Sequence, residues 1–313
     1  MYKHLTKIST LDMTHDEWLE YRRKSIGGSD ASSIIGLNPW SSPYSVWADK
    51  LGKLPLKEDN EAMRQGRDLE FYVAERFAEK TGKKVRRENH ILINPDYPFA
   101  HANVDRMIVG EDAGLECKTT SALNMKNFKN GAFPDTYYVQ CVHYMMVTGC
   151  RKWYLAVLVL NREFMVFEIE RDEAEIKALA EAEAEFWKLV EAKESPAPDG
   201  TASTSDAISV LYPESNDESV NLFAYETELR QYMAISAQIK ELEKLKDESA
   251  NKVKAFLGEA GRGESEGYKV TWTSSTRSTF DSKRFAKEHP GFDLSEYYKN
   301  SSYRTFKVTE KSN

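Results

Sequence analysis

The sequence predicts an α+β protein in which helices flank a mixed central sheet, followed by a smaller C-terminal α+β extension that contains a long helix. Three observations support this prediction. Helix-like and strand-like segments alternate through the first part of the chain, a stretch rich in Pro, Ser and Thr follows, and one long amphipathic pattern comes after it. We therefore expect a large domain at 1–194, a linker at 195–219 and an accessory domain at 220–313.

The composition suits a folded protein with a core, because 41% of the 313 residues are hydrophobic. No apolar run approaches the roughly 20 residues that span a bilayer, and the first residues lack the apolar stretch of a secretory signal. We expect no membrane partner and a cytoplasmic location. The three cysteines, Cys117, Cys141 and Cys150, are too few for a disulfide framework and suit a reducing compartment. A net charge of −7 argues against a general coat of positive charge for nucleic acid, but it leaves room for a local groove.

Helices dominate the first part of the chain. Thr14 and Glu17 have capping-box spacing, which predicts a helix that continues through Arg22. Ser29 is expected to be the N-cap of a short helix that ends at Gly36. Apolar periodicity and stop signals at glycine predict two more helices, at 43–51 and 58–80.

Strand-like segments begin after the fourth helix. Their lengths and their β-branched or aromatic residues predict strands at 85–93, 103–109, 114–119, 153–160 and 163–170. The residues 111–114 make a plausible hairpin turn. Two helices are expected among these strands or after them, at 134–148 and, strongly acidic, at 171–194.

The C-terminal part is expected to start with an amphipathic helix at 225–257. Lys246 and Ser249 interrupt its apolar seam, so a helix packed on its neighbours is favoured over a coiled coil. Two strands, at 267–274 and 303–309, and a short helix at 281–289 should follow. One further short helix is expected within the linker, at 206–212.

The most informative pattern joins Asp105 on one predicted strand to Glu116, Cys117 and Lys118 on the next. Side chains two apart on a strand share a face, so Glu116 and Lys118 should point together while Cys117 points away and offers its carbonyl oxygen. Two carboxylates and a carbonyl are the oxygen ligands that Mg²⁺ or Mn²⁺ prefers. Such an ion activates water and neutralises charge on a phosphate, and Lys118 would orient the attacking water. A surface hairpin with ordinary charges is the alternative reading.

Four residues elsewhere can complete such a site. An inward-facing Glu70 would add a carboxylate, and Gln140 would bind the water or a phosphate oxygen. Arg22 with Ser29 would bind a terminal phosphate, because a guanidinium pairs with phosphate bidentately. The alternatives are ordinary ones: solvated helix residues for Glu70 and Gln140, and a helix cap beside a surface arginine for Ser29 and Arg22.

These residues, in this order, closely resemble the phage lambda exonuclease-like family and, within it, the YqaJ-type viral recombinases of the PD-(D/E)XK nuclease superfamily. The resemblance spans residues 14–170, and the block 225–309 resembles the C-terminal extensions of YqaJ-type phage proteins. The matching stretches are Trp18–Arg22, Ile26–Asp30, Gly66–Glu70, Asn103–Asp105, Leu115–Lys118, Gln140–Tyr144, Gly267–Val270 and Ser302–Arg304.

The resemblance implies a restriction-endonuclease-like core and a Mg²⁺-dependent 5′–3′ exonuclease that digests one strand of double-stranded DNA. Asp105, Glu116 and the Cys117 carbonyl would hold the metal, with two ions per site. Lys118 would position the water with help from Glu70 and Gln140. Arg22 and Ser29 would bind the 5′-phosphate. Asn103, where relatives can carry Ser or Pro, would join the residues that contact DNA.

The resemblance also implies partners and a setting. The family suggests a homo-oligomeric ring around DNA that has a free end, and a single-strand annealing protein that receives the 3′ overhangs for homologous recombination. A phage or prophage gene expressed in a bacterial cytoplasm fits this. A structure- or site-specific endonuclease on the same fold, and a non-catalytic DNA-binding scaffold, remain alternatives. An iron–sulfur nuclease is disfavoured, because Cys117 lies on the catalytic strand and only two other cysteines remain.

Overall fold

A computed structural model of the chain describes residues 4–56, 59–299 and 302–311. The chain forms two compact units, one ending at Tyr212 and the other beginning at Pro213. The described residues contain no helix that combines the length and the apolar character needed to cross a membrane.

The first unit alternates helices and strands. Its elements, in chain order, are β1 (Thr6–Ser9), α1 (His15–Arg22), β2 (Ile26–Gly27), α2 (Gly28–Ile34), α3 (Pro43–Lys50), α4 (Glu61–Thr81), β3 (Val85–Arg87), β4 (His90–Ile93), β5 (Ala100–His101), β6 (Arg106–Ile108), β7 (Ala113–Thr120), α5 (Asp135–Thr148), β8 (Lys152–Val159), β9 (Glu163–Glu170), α6 (Glu173–Ala192) and α7 (Ala202–Leu211). A 3₁₀ segment, Ala122–Gly131, lies between β7 and α5.

A five-stranded mixed sheet forms the centre, with the strand order β3-β6-β7-β8-β9. The neighbours β7 and β8 run parallel, and the other pairs are antiparallel. Two short pairs lie outside this sheet: β1 with β4, antiparallel, and β2 with β5, parallel. The α+β prediction with a mixed sheet is therefore confirmed.

Helices cover both faces of the sheet, because its central strands are apolar on both sides. On one face, Val73 and Phe77 of α4 pack against Leu115 and Tyr154. On the other face, α5 and α6 pack against alternate residues of β8, such as Trp153 and Leu155. The side chains of consecutive β7 residues therefore point alternately toward α4 and toward α5.

The observed helix starts match the predicted helix starts only in part. Thr14 caps α1, and its reciprocal bonds with Glu17 form the predicted capping box. The N-cap prediction for Ser29 is wrong, because the cap lies two residues earlier, at Gly27, and the helix begins at Gly28. The carboxylate of Asp30 accepts the backbone N–H of Gly27 at 2.9 Å, so Asp30 supplies the capping oxygen. The predicted start of the fourth helix, residue 58, lies outside the described residues; α4 begins at Glu61.

The strand predictions need three corrections. The segment 85–93 is two strands, β3 and β4, which belong to different sheets. The predicted strand at 303–309 has no regular secondary structure in the described stretch 302–311. Only residues 106–108 of the predicted strand 103–109 pair as a strand, so Asp105 lies just before β6.

Part of the predicted linker belongs to the first unit. Helix α7 packs on α3, and its Ala207 lies in a buried cluster with Tyr44 and Trp47. Thr204 is buried as well and donates a hydrogen bond to Ser42 Oγ at 2.8 Å. Residues 201–212 are thus held by packing that the Pro- and Ser-rich composition of the predicted linker does not reveal.

The second unit is built around one long helix. Its elements are α8 (Glu226–Leu257), β10 (Arg262–Glu264), β11 (Lys269–Thr271) and α9 (Ser282–Glu288), and β10 pairs with β11 in an antiparallel hairpin. The long helix has the bounds that the sequence predicts, within a residue. No residue of α8 is buried.

Candidate active site

The predicted acidic pair meets where β6 and β7 run side by side. Arg106 pairs with Leu115 in the antiparallel register, so Asp105 and Glu116 are the next two residues that face each other across the strands. The Oδ2 atom of Asp105 accepts the backbone N–H of Cys117 at 2.7 Å. Because the N–H and C=O of one strand residue point to the same edge, the Cys117 carbonyl also faces the Asp105 side.

Glu116 and Lys118 point together toward α5, as the two-residue period predicts. The Nζ atom of Lys118 donates to Glu116 Oε1 at 2.5 Å and to Gln140 Oε1 at 2.9 Å. The Nε2 atom of Gln140 donates to the same Glu116 oxygen at 2.8 Å. These three side chains form one hydrogen-bonded triangle, while Cys117 packs on the opposite face beside α4.

Several carboxylates lie close together around the single amine of Lys118, and this crowding shifts the pKa values of the site. Burial and the neighbouring carboxylates of Glu116 and Glu70 raise the pKa of Asp105 well above its ordinary value. Burial alone would lower the pKa of Lys118, but the carboxylates of Glu116 and Asp105 outweigh it and raise that pKa. Lys118 is therefore an ammonium ion at neutral pH, and additional positive charge beside Asp105 would be stabilising.

The donor set fits a hard divalent cation. The second carboxylate oxygen of Glu116, Oε2, is buried and has no hydrogen-bond partner among the described residues. A buried carboxylate oxygen without a donor is costly unless a cation binds it. The described residues contain no cluster of three Asp, Glu, His or Cys side chains suited to a metal. A cation here would therefore depend on Asp105, Glu116 and a backbone carbonyl, which is the set that the sequence predicts.

Glu70 lies near this site but has a protein partner of its own. Its carboxylate forms a short ion pair with Arg106, and the same Arg106 atom donates to the Asp105 carbonyl at 2.6 Å. Arg106 is almost completely buried, and no sequence pattern indicates this role for it. Glu70 thus contributes negative charge near Asp105 while Arg106 fixes its orientation.

Arg22 and Ser29 are brought together as predicted, although Ser29 is not a cap. The Nη2 atom of Arg22 donates to Ser29 Oγ at 2.5 Å, and the guanidinium lies over the Trp18 ring at 4.8 Å. A hydroxyl and a guanidinium on one side of the chain can bind an anion together. Asn103, the third residue of this predicted set, has a buried Oδ1 atom without a hydrogen-bond partner among the described residues.

Tyr144 connects the two groups and was not predicted as a site residue. Its hydroxyl accepts a hydrogen bond from Gln140 Nε2 at 2.9 Å. Its ring packs against Gly28, the residue before Ser29. The only sequence signal for this role is its position one helical turn after Gln140, which places both residues on the same face of α5.

The fold matches solved structures of an exonuclease. The alkaline exonuclease LHK-Exo from Laribacter hongkongensis aligns with a TM-score of 0.50 and 20% identity, over 57% of this chain and 93% of that chain. Its complex with dAMP aligns with the same score and coverage at 22% identity. At these identities the likeness concerns the fold, which is the predicted PD-(D/E)XK architecture.

Sequence comparison reaches further along the chain. The profile of the YqaJ-like viral recombinase domain matches residues 17–151, which include every predicted site residue. The YqaJ protein of Bacillus subtilis (strain 168) is 42% identical over 308 residues, which cover 96% of both chains. Because this identity extends over both units, the chain belongs to the YqaJ-like viral recombinase family.

Proposed function

We propose that this protein is a Mg²⁺-dependent (or Mn²⁺-dependent) exonuclease that hydrolyses one strand of double-stranded DNA from the 5′ end and leaves 3′ single-stranded overhangs. The observation that carries the proposal is the buried Oε2 atom of Glu116, which has no hydrogen-bond partner in the part of the chain that the structure describes. It belongs to the group that also contains Asp105, whose pKa is raised, and the charged Lys118. Membership of a viral recombinase family supports DNA as the substrate. The shared fold with an alkaline exonuclease agrees with this chemistry.

Asp105, Glu116 and the Cys117 carbonyl would hold the metal, in the proposal two ions per site. Bound there, a divalent cation supplies Lewis acidity to the scissile phosphate and to the attacking water. Glu116 retains one oxygen for Lys118 and Gln140 and offers the other, so metal binding does not have to break the triangle.

Lys118 and Gln140 orient the attacking water. Because Lys118 is protonated, it stabilises the hydroxide form of that water instead of accepting its proton. Gln140 accepts from Lys118 with one end of its amide and donates to Glu116 with the other, which fixes the direction of the ammonium group. Glu70, held by Arg106, adds negative charge that favours cation binding near Asp105.

Initiation at a 5′ end would use Arg22 and Ser29. Their contact at 2.5 Å leaves guanidinium donors that can bind a terminal phosphate bidentately. Asn103 would contact the DNA backbone by donating from its amide Nδ2 atom, because a phosphate oxygen only accepts hydrogen bonds. Contacts of this type read the backbone and not the bases, so digestion is expected to be tolerant of sequence.

The biological setting in this proposal follows from family membership. The protein would act in the cytoplasm of a bacterial host as part of a phage or prophage recombination system. It would form a homo-oligomeric ring, and its 3′ overhangs would pass to a single-strand annealing protein. Residues 220–313 would act as the accessory domain.

The test is to incubate purified protein with linear duplex DNA labelled at either end, and in parallel with a nick-free circle. We expect loss of the 5′-end label with Mg²⁺, no reaction in EDTA, and an intact circle. Cleavage of the circle would favour an endonuclease on the same fold. Binding without any cleavage in Mg²⁺ or Mn²⁺ would favour a non-catalytic scaffold.

A further inference from the structure

Lys50, the last residue of α3, is a buried cation outside the metal site. Its side chain is 2% exposed. The ammonium group donates to the backbone carbonyl of Arg22 at 2.9 Å and to Asp30 Oδ2 at 2.6 Å. Burying an ammonium ion is unfavourable unless its partners compensate for the lost hydration. These two contacts therefore fix where Arg22 and Asp30 lie relative to α3.

Asp30 is the acidic partner in this arrangement. Its Oδ2 atom also accepts the backbone N–H of Gly27, and its Oδ1 atom lies 3.9 Å from Arg22 Nη2. Lys50 thus makes the shorter contact with Asp30, and the guanidinium of Arg22 makes the longer one. The short hydrogen bond of Arg22 is the one that it donates to Ser29 Oγ, at 2.5 Å.

The charge balance explains why it matters that Lys50, and not Arg22, makes the short contact with Asp30. Without Lys50, Asp30 would be a largely buried carboxylate with Arg22 as the nearest remaining cation among the described residues. Attraction would then draw the guanidinium from Ser29 toward Asp30, where it would be less able to bind a phosphate. Loss of the bond to the Arg22 carbonyl would also release the end of α1.

We infer that Lys50 is a positioning residue for the 5′-phosphate. It forms an ion pair with Asp30 and anchors the Arg22 backbone, so that the side chains of Arg22 and Ser29 stay free to bind a terminal phosphate together. The inference rests on the proposed function, because it assumes that Arg22 and Ser29 bind the DNA end. It adds a residue from a third helix that itself touches no substrate.

The test measures binding without catalysis. In EDTA, fluorescence anisotropy gives the Kd of a blunt duplex with 5′-phosphate ends and of the same duplex with 5′-hydroxyl ends. Wild type is expected to prefer the phosphate by about tenfold, the value of one charge-assisted hydrogen bond. Lys50→Met should reduce this preference to less than about threefold. The matched control is Lys53→Met, an exposed lysine over the Trp47 ring, which should keep the full preference.

A double variant separates positioning from simple stability. Lys50→Met leaves Asp30 without its closest cation and is expected to lower the thermal midpoint. Lys50→Met with Asp30→Asn removes both charges and should recover much of that midpoint. The phosphate preference should recover only in part in the double variant. Asp30 no longer draws the Arg22 guanidinium from Ser29, but the anchor on the Arg22 carbonyl is still missing. No recovery at all, or full recovery to the wild-type preference, would overturn the inference, which assigns one part of the effect to each contact.

The outcomes separate this inference from the proposal on which it rests. A phosphate preference that survives in Lys50→Met overturns the role of Lys50 and leaves the Arg22–Ser29 pocket standing. Equal Kd values for the two ends in wild type overturn the pocket and the role of Lys50 together. Mg²⁺-dependent cleavage by the same preparation independently decides whether the nuclease proposal stands.

Discussion

Gly28 lies directly against the ring of Tyr144. A Cβ atom added at Gly28 would be 2.7 Å from Tyr144 Cε1 and 3.2 Å from Gln140 Cγ. Helices α2 and α5 therefore approach as closely here as a backbone permits. Through this contact the segment that carries Ser29 touches the residue that orients Lys118, so the two halves of the proposed site are packed as one unit.

Gly28→Ala should damage both stability and cleavage. In an ordinary helix this change stabilises by about 1 kcal/mol, but here the methyl group must displace an enclosed ring, at a cost of about 1–3 kcal/mol. We expect a lower free energy of urea unfolding and slower Mg²⁺-dependent cleavage. The matched control is Gly66→Ala in α4. Among the described residues, a Cβ there would have Thr119 Oγ1 as its nearest contact, at an ordinary 3.9 Å, so the free energy of unfolding should rise. A neutral or stabilising Gly28→Ala would contradict the close packing.

Mg²⁺ should stabilise the folded protein through Glu116. Binding to the folded state alone raises the unfolding free energy by about 2.7 kcal/mol at a concentration of 100 times Kd. We expect a higher thermal midpoint in Mg²⁺ than in EDTA for wild type. The shift should be lost in Glu116→Gln, and Glu185→Gln on the exposed face of α6 should retain it. An equal shift in Glu116→Gln would mean that Mg²⁺ binds elsewhere.

Asp30 should make stability fall in acid. Its burial opposes ionisation, but Lys50 and Arg22 outweigh that effect and hold the pKa of Asp30 well below its ordinary value. A lowered folded-state pKa adds stability that is present above the unfolded-state pKa, near pH 4, and is lost as the pH falls further. The difference in unfolding free energy between wild type and Asp30→Asn should therefore be larger at pH 6 than at pH 3. Ser29→Ala, which removes no titrating group, should give a curve parallel to that of wild type. A constant difference for Asp30→Asn would contradict the ion pair.

The core of the site was predictable because it depends on local geometry. The two-residue period of a strand puts Glu116 and Lys118 on one face whatever the rest of the chain does, and the structure has them there. Gln140 lies on the helix that covers that face, which the element order indicates. The bounds of the long helices followed from periodicity and glycine stops in the same way.

The remaining features depend on contacts between distant segments. Nothing local indicates that Ile26 and Gly27 pair with Ala100 and His101. The same holds for Lys50, an ordinary helix-terminal lysine in the sequence, which becomes a buried partner of Asp30 only when α3 packs beside α2. Residues 195–212 likewise read as linker until the packing of Thr204 on Ser42 is seen. Tertiary packing overrides composition and propensity at these positions.

Lys118→Ala tests the central claim most directly. The change removes the ammonium group between Glu116 and Gln140 and leaves the oxygen ligands in place, so cleavage should fall by at least about a hundredfold while DNA binding persists. The control Lys188→Ala, an exposed lysine on α6, should digest like wild type. The measurement is release of 5′-terminal nucleotides from a linear duplex in Mg²⁺, with anisotropy to report binding. The account predicts bound but uncut DNA for Lys118→Ala; digestion at the wild-type rate would contradict it.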